Sequence, residues 1–225
     1  ALTEYEDDPS LRCAVIFAHG EHFTAGLDLV ELQPKLTAGV FDFPVSQINP
    51  WGTSSRPRTK PVVVVVQGFC FTAGIELMLN ADVVIADANT QFAQMEVQRG
   101  ILPFGGATVR FVQAAGWNKA MRYLLTGDSF NAQVALDLNL ITEVVETSSP
   151  NTTLERALAL AESIAQAAPL AVQATLASAQ QAVQYGADYA FAHLQEHLSP
   201  LLKTQDVQEG VMAMLQRRPA QFKGQ

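Results

Sequence analysis

The chain has 225 residues, of which 48% are hydrophobic and 16% charged, enough for one domain with a sizeable core or a domain with an appendage. A net charge of −8 excludes general nucleic-acid binding, because nothing in the balance attracts a phosphate backbone, yet it leaves room for an anionic small molecule at a local basic patch. So little charge predicts surface hidden by oligomerisation.

Ala1–Glu6 read as the tail of a helix, which predicts further residues upstream, and Asp7-Asp8-Pro9-Ser10 as its exit loop. Leu11–Ala18 read as a strand, His19–His22 as a turn and Leu27–Gln33 as one or two helical turns. Pro34–Lys60, rich in proline and serine and without periodicity, reads as a long loop. Its basic residues Arg56, Arg58 and Lys60 are expected to be solvated. Pro61–Gly68 is the clearest strand: five consecutive valines show no alternation, so both faces should be covered, as in a parallel sheet under helices. Then follow a helix over Ala73–Asn80, a strand over Asp82–Ala86 and a short strand at Thr90–Phe92. Helices are predicted over Gly106–Ala115, Asn118–Leu125 and Ala132–Leu138, the last capped by Asn131, before a strand over Ile141–Val145.

After Ser148-Ser149-Pro150 the composition turns to Ala, Leu and Gln, and residues 152–217 read as wholly helical, with Pro169 opening one helix. The expected division is therefore an α/β core over 1–150 and a helical region over 151–225 suited to packing on other subunits. No apolar run is long enough to span a bilayer, so no membrane partner is expected. Cys13 and Cys70, flanked by apolar residues, read as reduced buried thiols of a cytoplasmic protein.

Three segments carry chemistry. His22-Phe23-Thr24-Ala25-Gly26-Leu27-Asp28-Leu29 and Thr72-Ala73-Gly74-Ile75-Glu76 each lead from a strand into a helix, where backbone N–H groups lack intrahelical partners and point outward. Two such groups meeting at one oxygen form an oxyanion hole, often worth several kcal/mol. Glu96 follows Glu76 by twenty residues, and two carboxyl groups at one cavity can divide acid and base work. Other patterns have plainer readings. His193-Leu194-Gln195-Glu196-His197 has an inverted zinc-protease spacing but no evident third ligand, so a surface or interface helix and no metal is expected. His19 and His22 suit a turn.

In order along the chain, Phe23–Leu29, Lys60–Gly68, Ala73–Leu77, Ala81-Asp82, Glu96, Gly100, Pro103, Gly106, Leu125-Thr126-Gly127, Ala132–Ala135 and Arg217–Gly224 resemble the crotonase, or enoyl-CoA hydratase/isomerase, superfamily. The resemblance covers nearly the whole chain. It implies a ββα spiral core, a C-terminal helical trimerisation region and an acyl-CoA thioester substrate. It implies backbone N–H groups of Leu27 and Ala73 as the oxyanion hole and Glu76 and Glu96 as the catalytic pair. Substrate contacts are implied at Ala25, Gly26, Asp28, Leu29, Gly74, Pro103, Phe104 and Arg217. The implied reaction is hydration of trans-2-enoyl-CoA to 3-hydroxyacyl-CoA, with no metal or redox cofactor, in a homotrimer or dimer of trimers. Double-bond isomerisation, thioester hydrolysis and non-catalytic acyl-CoA binding are the alternatives. Two positions depart from the family pattern: bulky Phe104 stands in a stretch commonly rich in glycine, and Val30 where some relatives carry a lysine. The family's usual N-terminal strand and helix are expected ahead of Ala1.

Overall fold

The computed structural model describes residues 1–38, 43–54, 56–146 and 151–225, apart from the side chain of Leu36. It divides into two compact units. The first comprises Ala1–Tyr5, Val15–Arg58 and Val62–Leu158, the second Glu6–Ala14, Thr59–Pro61 and Ala159–Gln225. The composition change expected at Ser148–Pro150 lies outside the described residues.

Two small sheets organise the first unit. One has the order β1 (Ala14–Ile16), β2 (Val62–Val66), β4 (Val83–Asp87), β7 (Glu143–Val145). The other has the order β3 (Phe69–Phe71), β5 (Gln91–Ala93), β6 (Phe130–Asn131). The valines of β2 are at most 3% exposed, as an unalternating run requires when both faces are covered. They run parallel to β4 in the register Val63↔Val83 to Val66↔Ala86. Within two residues of β2 the chain enters the other sheet as β3, parallel to β5 with Cys70 opposite Phe92. Strand, strand and helix then recur: β2 and β3 lead to α3 (Ala73–Met78), while β4 and β5 lead to a 3-10 turn at Glu96–Arg99. The helices α4 (Ala107–Ala115), α5 (Trp117–Leu124) and α6 (Ala132–Asp137) complete the unit's helical layer. Asn131 caps α6, its Oδ1 accepting the Val134 N–H at 2.9 Å. Phe92 and Phe111 are fully buried, and Phe92 stacks on Phe130 with centroids 5.5 Å apart.

The structure departs from the sequence reading in several places. The first strand is limited to Ala14–Ile16 and the last to Glu143–Val145. Phe69–Phe71, which the sequence reading assigned to no element, is a strand because its backbone pairs with Gln91–Ala93. The helix after the first Thr-Ala-Gly segment, α2, runs Leu29–Thr37 straight through Pro34. Proline removes one bond to the preceding turn. Asp28 Oδ1 caps the start by accepting N–H from Val30 and Glu31, and Ala38 N–H continues the ladder to Pro34 O at 3.1 Å. Of the expected loop, residues 39–42 and 55 lie outside the described residues. Its basic residues are not a solvated cluster. Arg58 donates to both Asp82 oxygens and is only 10% exposed at its side chain, and Lys60 is buried with Nζ donating to Asp8 O.

The second unit holds α8 (Pro169–Tyr185), α9 (Ala187–Leu201), α10 (Gln205–Gln216) and the end of α7 (Thr152–Gln166). Pro169 occupies the first turn of α8, where its missing N–H costs nothing. The last residues fold back onto α10: buried Asp206 accepts N–H from Lys223 and Gly224 at 2.7 and 2.8 Å. Arg12 secures the same end through Phe222 O at 2.7 Å. Among the described residues no single helix is long and apolar enough to cross a membrane.

Candidate active site

The two Thr-Ala-Gly segments lie side by side. Thr24 forms a parallel bridge to Cys70, with Thr24 N–H donating to Phe69 O and Phe71 N–H to Thr24 O. The contact is reciprocal. A Cβ on Gly74 would stand 2.5 Å from Thr24 Cγ2, and one on Gly26 would stand 2.1 Å from Thr72 Oγ1. Each segment therefore needs glycine where the other's threonine crosses it. Gly26 additionally has φ +107 and Thr72 the strained value of 51. Gly74→Ala is expected to cost on the order of 1–3 kcal/mol by overpacking. Adding Thr24→Ser deletes the opposing methyl and should restore most of that loss. Urea unfolding of the single and double variants reads both effects; a double variant no more stable than Gly74→Ala refutes the contact.

This crossing brings Leu27 and Ala73 to one cavity of about 120 Å³, lined also by Ala25, Leu29, Thr72, Glu76, Met95, Glu96, Arg99, Ile101 and Phe104. Among the described residues, neither the Leu27 nor the Ala73 N–H donates a hydrogen bond. Ala73 opens α3, so its amide has no intrahelical acceptor. Ala73 is buried and Leu27 half-buried.

Both carboxyl groups are held out of solvent, Glu76 at 2% and Glu96 at 6% exposure. Glu76 Oε1 accepts N–H from Gly105 at 2.7 Å and from Ala107 at 3.1 Å. Burial pushes the Glu76 carboxyl up from 4.5 to about 7; the negative charge of Glu96 adds to the rise, while the two amides and Arg110 oppose it. Glu96 Oε1 accepts from Gln94 Nε2 at 2.9 Å, and Glu96 Oε2 is a buried atom with no hydrogen-bond partner among the described residues. Burial also raises the Glu96 carboxyl. Two neighbouring carboxyls that resist ionising together can hold one proton between them and pass it on. Cys70 is fully buried, which raises its thiol and leaves it unreactive.

A second chamber of about 280 Å³ shares Leu27, Glu76 and Phe104 with the first and is further lined by Phe43, Asn49, Trp51, Thr53, Ser54 and Gly105. Trp51 Nε1 donates to Ala73 O at 2.9 Å, which fixes the indole against a residue that lines the first cavity. Arg110 Nη1 donates to Trp51 O at 2.7 Å and Nη2 to Gly52 O at 3.1 Å.

Of the residues expected at the site, the cavity gathers Ala25, Leu27, Leu29, Ala73, Glu76, Glu96 and Phe104. Gly26, Asp28, Gly74 and Pro103 do not line it. Gly26 and Gly74 act in the crossing, and Asp28 caps α2. Arg217 belongs to the second unit, where it ends α10 in a left-handed conformation. His22 sits in the turn beside β3, where its Nδ1 accepts Phe69 N–H and its ring stacks on Phe69. His193 and His197 are bonded to Tyr189 O and Gln181 Oε1. Sequence reasoning missed Gly105, Arg110, Gln94 and the Asn49–Ser54 loop. The paired Gly105-Gly106 just before a helix was the one available signal.

The profile of the family described as enoyl-CoA hydratase/isomerase matches residues 1–225. A 2,3-dehydroadipyl-CoA hydratase of Escherichia coli is 34% identical over 217 residues, which cover 96% of this chain and 83% of the relative. A carnitinyl-CoA dehydratase of Salmonella arizonae is 32% identical over 233 residues, covering 100% of this chain and 86% of the relative. Among solved structures, one from Mycobacterium abscessus, described as a probable enoyl-CoA hydratase/isomerase, superposes with a TM-score of 0.95 at 45% identity. It covers 100% of this chain and 85% of that one.

Proposed function

The chain belongs to the enoyl-CoA hydratase/isomerase family, the crotonase superfamily, and from that premise we propose that it hydrates trans-2-enoyl-CoA thioesters to 3-hydroxyacyl-CoA. The observation that carries the reading is the single cavity lined by Glu76, Glu96, Leu27 and Ala73. The names of the relatives, a CoA-ester hydratase and a dehydratase, support reaction in either direction across the same bond.

The thioester oxygen accepts the Leu27 and Ala73 N–H groups, which take up the negative charge that develops as the carbonyl becomes an enolate. Glu76, as carboxylate, draws a proton from a water whose oxygen bonds to the β carbon. The electron pair of the double bond moves toward the carbonyl. Glu96, as acid, gives its proton to the α carbon as the enolate collapses, and the proton held by Glu76 then re-equilibrates between the pair. A base whose carboxyl sits at about 7 suits this duty near neutral pH. No metal or redox cofactor enters these steps.

Loss of the conjugated-thioester absorbance of crotonyl-CoA tests the reading. Release of free CoA thiol, or movement of the double bond without water addition, overturns it. The pH profile offers a separate check. The kcat/KM for crotonyl-CoA should fall about tenfold per pH unit below the ionisation of Glu76 near 7. A limb centred on an ordinary carboxylate value would remove Glu76 from the base role.

The reading extends to assembly and location: a homotrimer or dimer of trimers in the cytoplasm. Exposed Phe191, Leu198, Leu202, Met214 and Leu215 in the second unit support a buried subunit contact. Light scattering of the purified protein distinguishes monomer, trimer and hexamer.

A further inference from the structure

The geometry points to an acyl group that carries a neutral oxygen, as hydroxyl or carbonyl, seated in the chamber of Asn49, Thr53 and Ser54. This rests on the thioester reading above, since the chamber meets the reaction cavity at Leu27, Glu76 and Phe104. An acyl chain leaving the reacting carbons past Glu76 enters it. A pocket for plain hydrocarbon needs only apolar walls. Here Leu27, Phe43, Trp51 and Phe104 give such walls to the stem, but Asn49, Thr53, Ser54 and Glu76 add polar side chains that hydrocarbon does not need.

That polar lining is organised. Asn49 is 4% exposed and has both donors engaged: Nδ2 donates to Thr53 Oγ1 at 3.1 Å and Ser54 Oγ at 3.0 Å, and Oδ1 accepts Trp51 N–H at 2.9 Å. Asn49 therefore positions the hydroxyls rather than binding ligand itself. Thr53 Oγ1, having accepted from Asn49, retains its own proton, and among the described residues that proton goes to no protein acceptor. The loop beneath is pinned by Asn80 Nδ2 to Pro50 O at 3.0 Å, by Arg110 to Trp51 O and Gly52 O, and by Gly52 N–H to Asn49 O. A donor on so fixed a loop is preorganised for an oxygen acceptor.

Charge narrows the class. Among the described residues no lysine, arginine or histidine lines the chamber, whereas Glu76 does. Arg110 lies nearby with its guanidinium engaged by the Trp51 and Gly52 carbonyls. A carboxylate-ended acyl group would thus meet a carboxyl and no facing cation, so the fitting oxygen is uncharged.

Calorimetry on the full chain separates this proposal from the chemistry. Saturated ω-hydroxyacyl-CoA thioesters of five, six and seven carbons are compared with alkyl and ω-carboxyl thioesters of equal heavy-atom count. The best hydroxylated ligand should bind about three- to tenfold tighter than its alkyl counterpart, the worth of one hydrogen bond. It should also bind tighter than the carboxylated one. Thr53→Val should bring the hydroxyl-to-alkyl ratio toward one. Equal or tighter binding of every alkyl ligand, tightest binding of the carboxylate, or an unchanged ratio in Thr53→Val overturns the assignment. Crotonyl-CoA turnover is measured alongside. Its absence defeats the hydratase reading whatever the binding order, and its presence with no hydroxyl preference defeats only this inference.

Discussion

Replacing Glu76 or Glu96 by glutamine is expected to slow crotonyl-CoA hydration by about 10²–10⁴-fold, the range for losing one general acid or base. Glutamine retains the side chain's length and an oxygen that accepts the Gly105 and Ala107 N–H groups at position 76, but it cannot exchange a proton in this pH range. At position 96 the oxygen bonded to Gln94 is likewise kept while the unpartnered Oε2 is lost. If the two carboxyls serve one transition state, as proposed, the double variant should fall well short of the product of the single losses. Full rate in either single variant would mean that the chemistry uses other residues.

The same substitution has a signed effect on folding. The Glu76 carboxyl rises from 4.5 to about 7 in the folded chain, chiefly through burial. The stability tied to its protonated form is therefore complete below about 4.5 and is lost as pH rises through about 7; the loss is on the order of 3 kcal/mol. Glu76→Gln escapes that loss. Relative to the parent, it should gain stability in urea between pH 5 and pH 8. A gap between the two that stays constant over this window would mean that burial does not raise the carboxyl. A carboxyl that destabilises its own fold near neutral pH fits the proposed role as base better than a role in packing.

Much of this could be read from the chain because the signals are local. Five valines without alternation fix β2 as a doubly covered strand, and Asn131 fixes a helix start through its own side chain. The ordered motifs around Gly26, Gly74, Glu76 and Glu96 carried the family and the cavity together. What escaped depends on partners distant in sequence. Phe69–Phe71 becomes a strand only by pairing with Gln91–Ala93, twenty-odd residues on. Arg58 and Lys60 look like solvent-facing charge until Asp82 and the Asp8 carbonyl are brought to them. Pro34 argues for a loop on local rules, and the helix persists because Asp28 caps it and the ladder resumes at Ala38. The second chamber was invisible for the same reason, since Asn49, Thr53 and Ser54 gain meaning only where the loop meets Glu76 and Phe104.

Gly105 is the sharpest case of such a long-range requirement, and Gly105→Ala is expected to lower kcat by about 10²-fold or more, the usual cost of misplacing a catalytic group by an ångström. A Cβ there would lie 2.5 Å from Glu76 Oε2, 2.8 Å from its Cδ and 3.0 Å from its Cβ. Glu76 is 2% exposed and has no solvent to retreat into, so its carboxyl must turn within the cavity or the loop must move back. Moving the loop lengthens the Gly105 N–H bond that aims Oε1; turning the carboxyl displaces Oε2, the atom nearest the added Cβ. Either response spoils the base while leaving the amides of Leu27 and Ala73 in position to grip a thioester. The loss should therefore fall on kcat far more than on binding of a saturated acyl-CoA. A variant with parental kcat would place the working carboxyl somewhere other than Glu76. Equal loss of kcat and binding would mean that the whole site, and not one side chain, depends on this glycine.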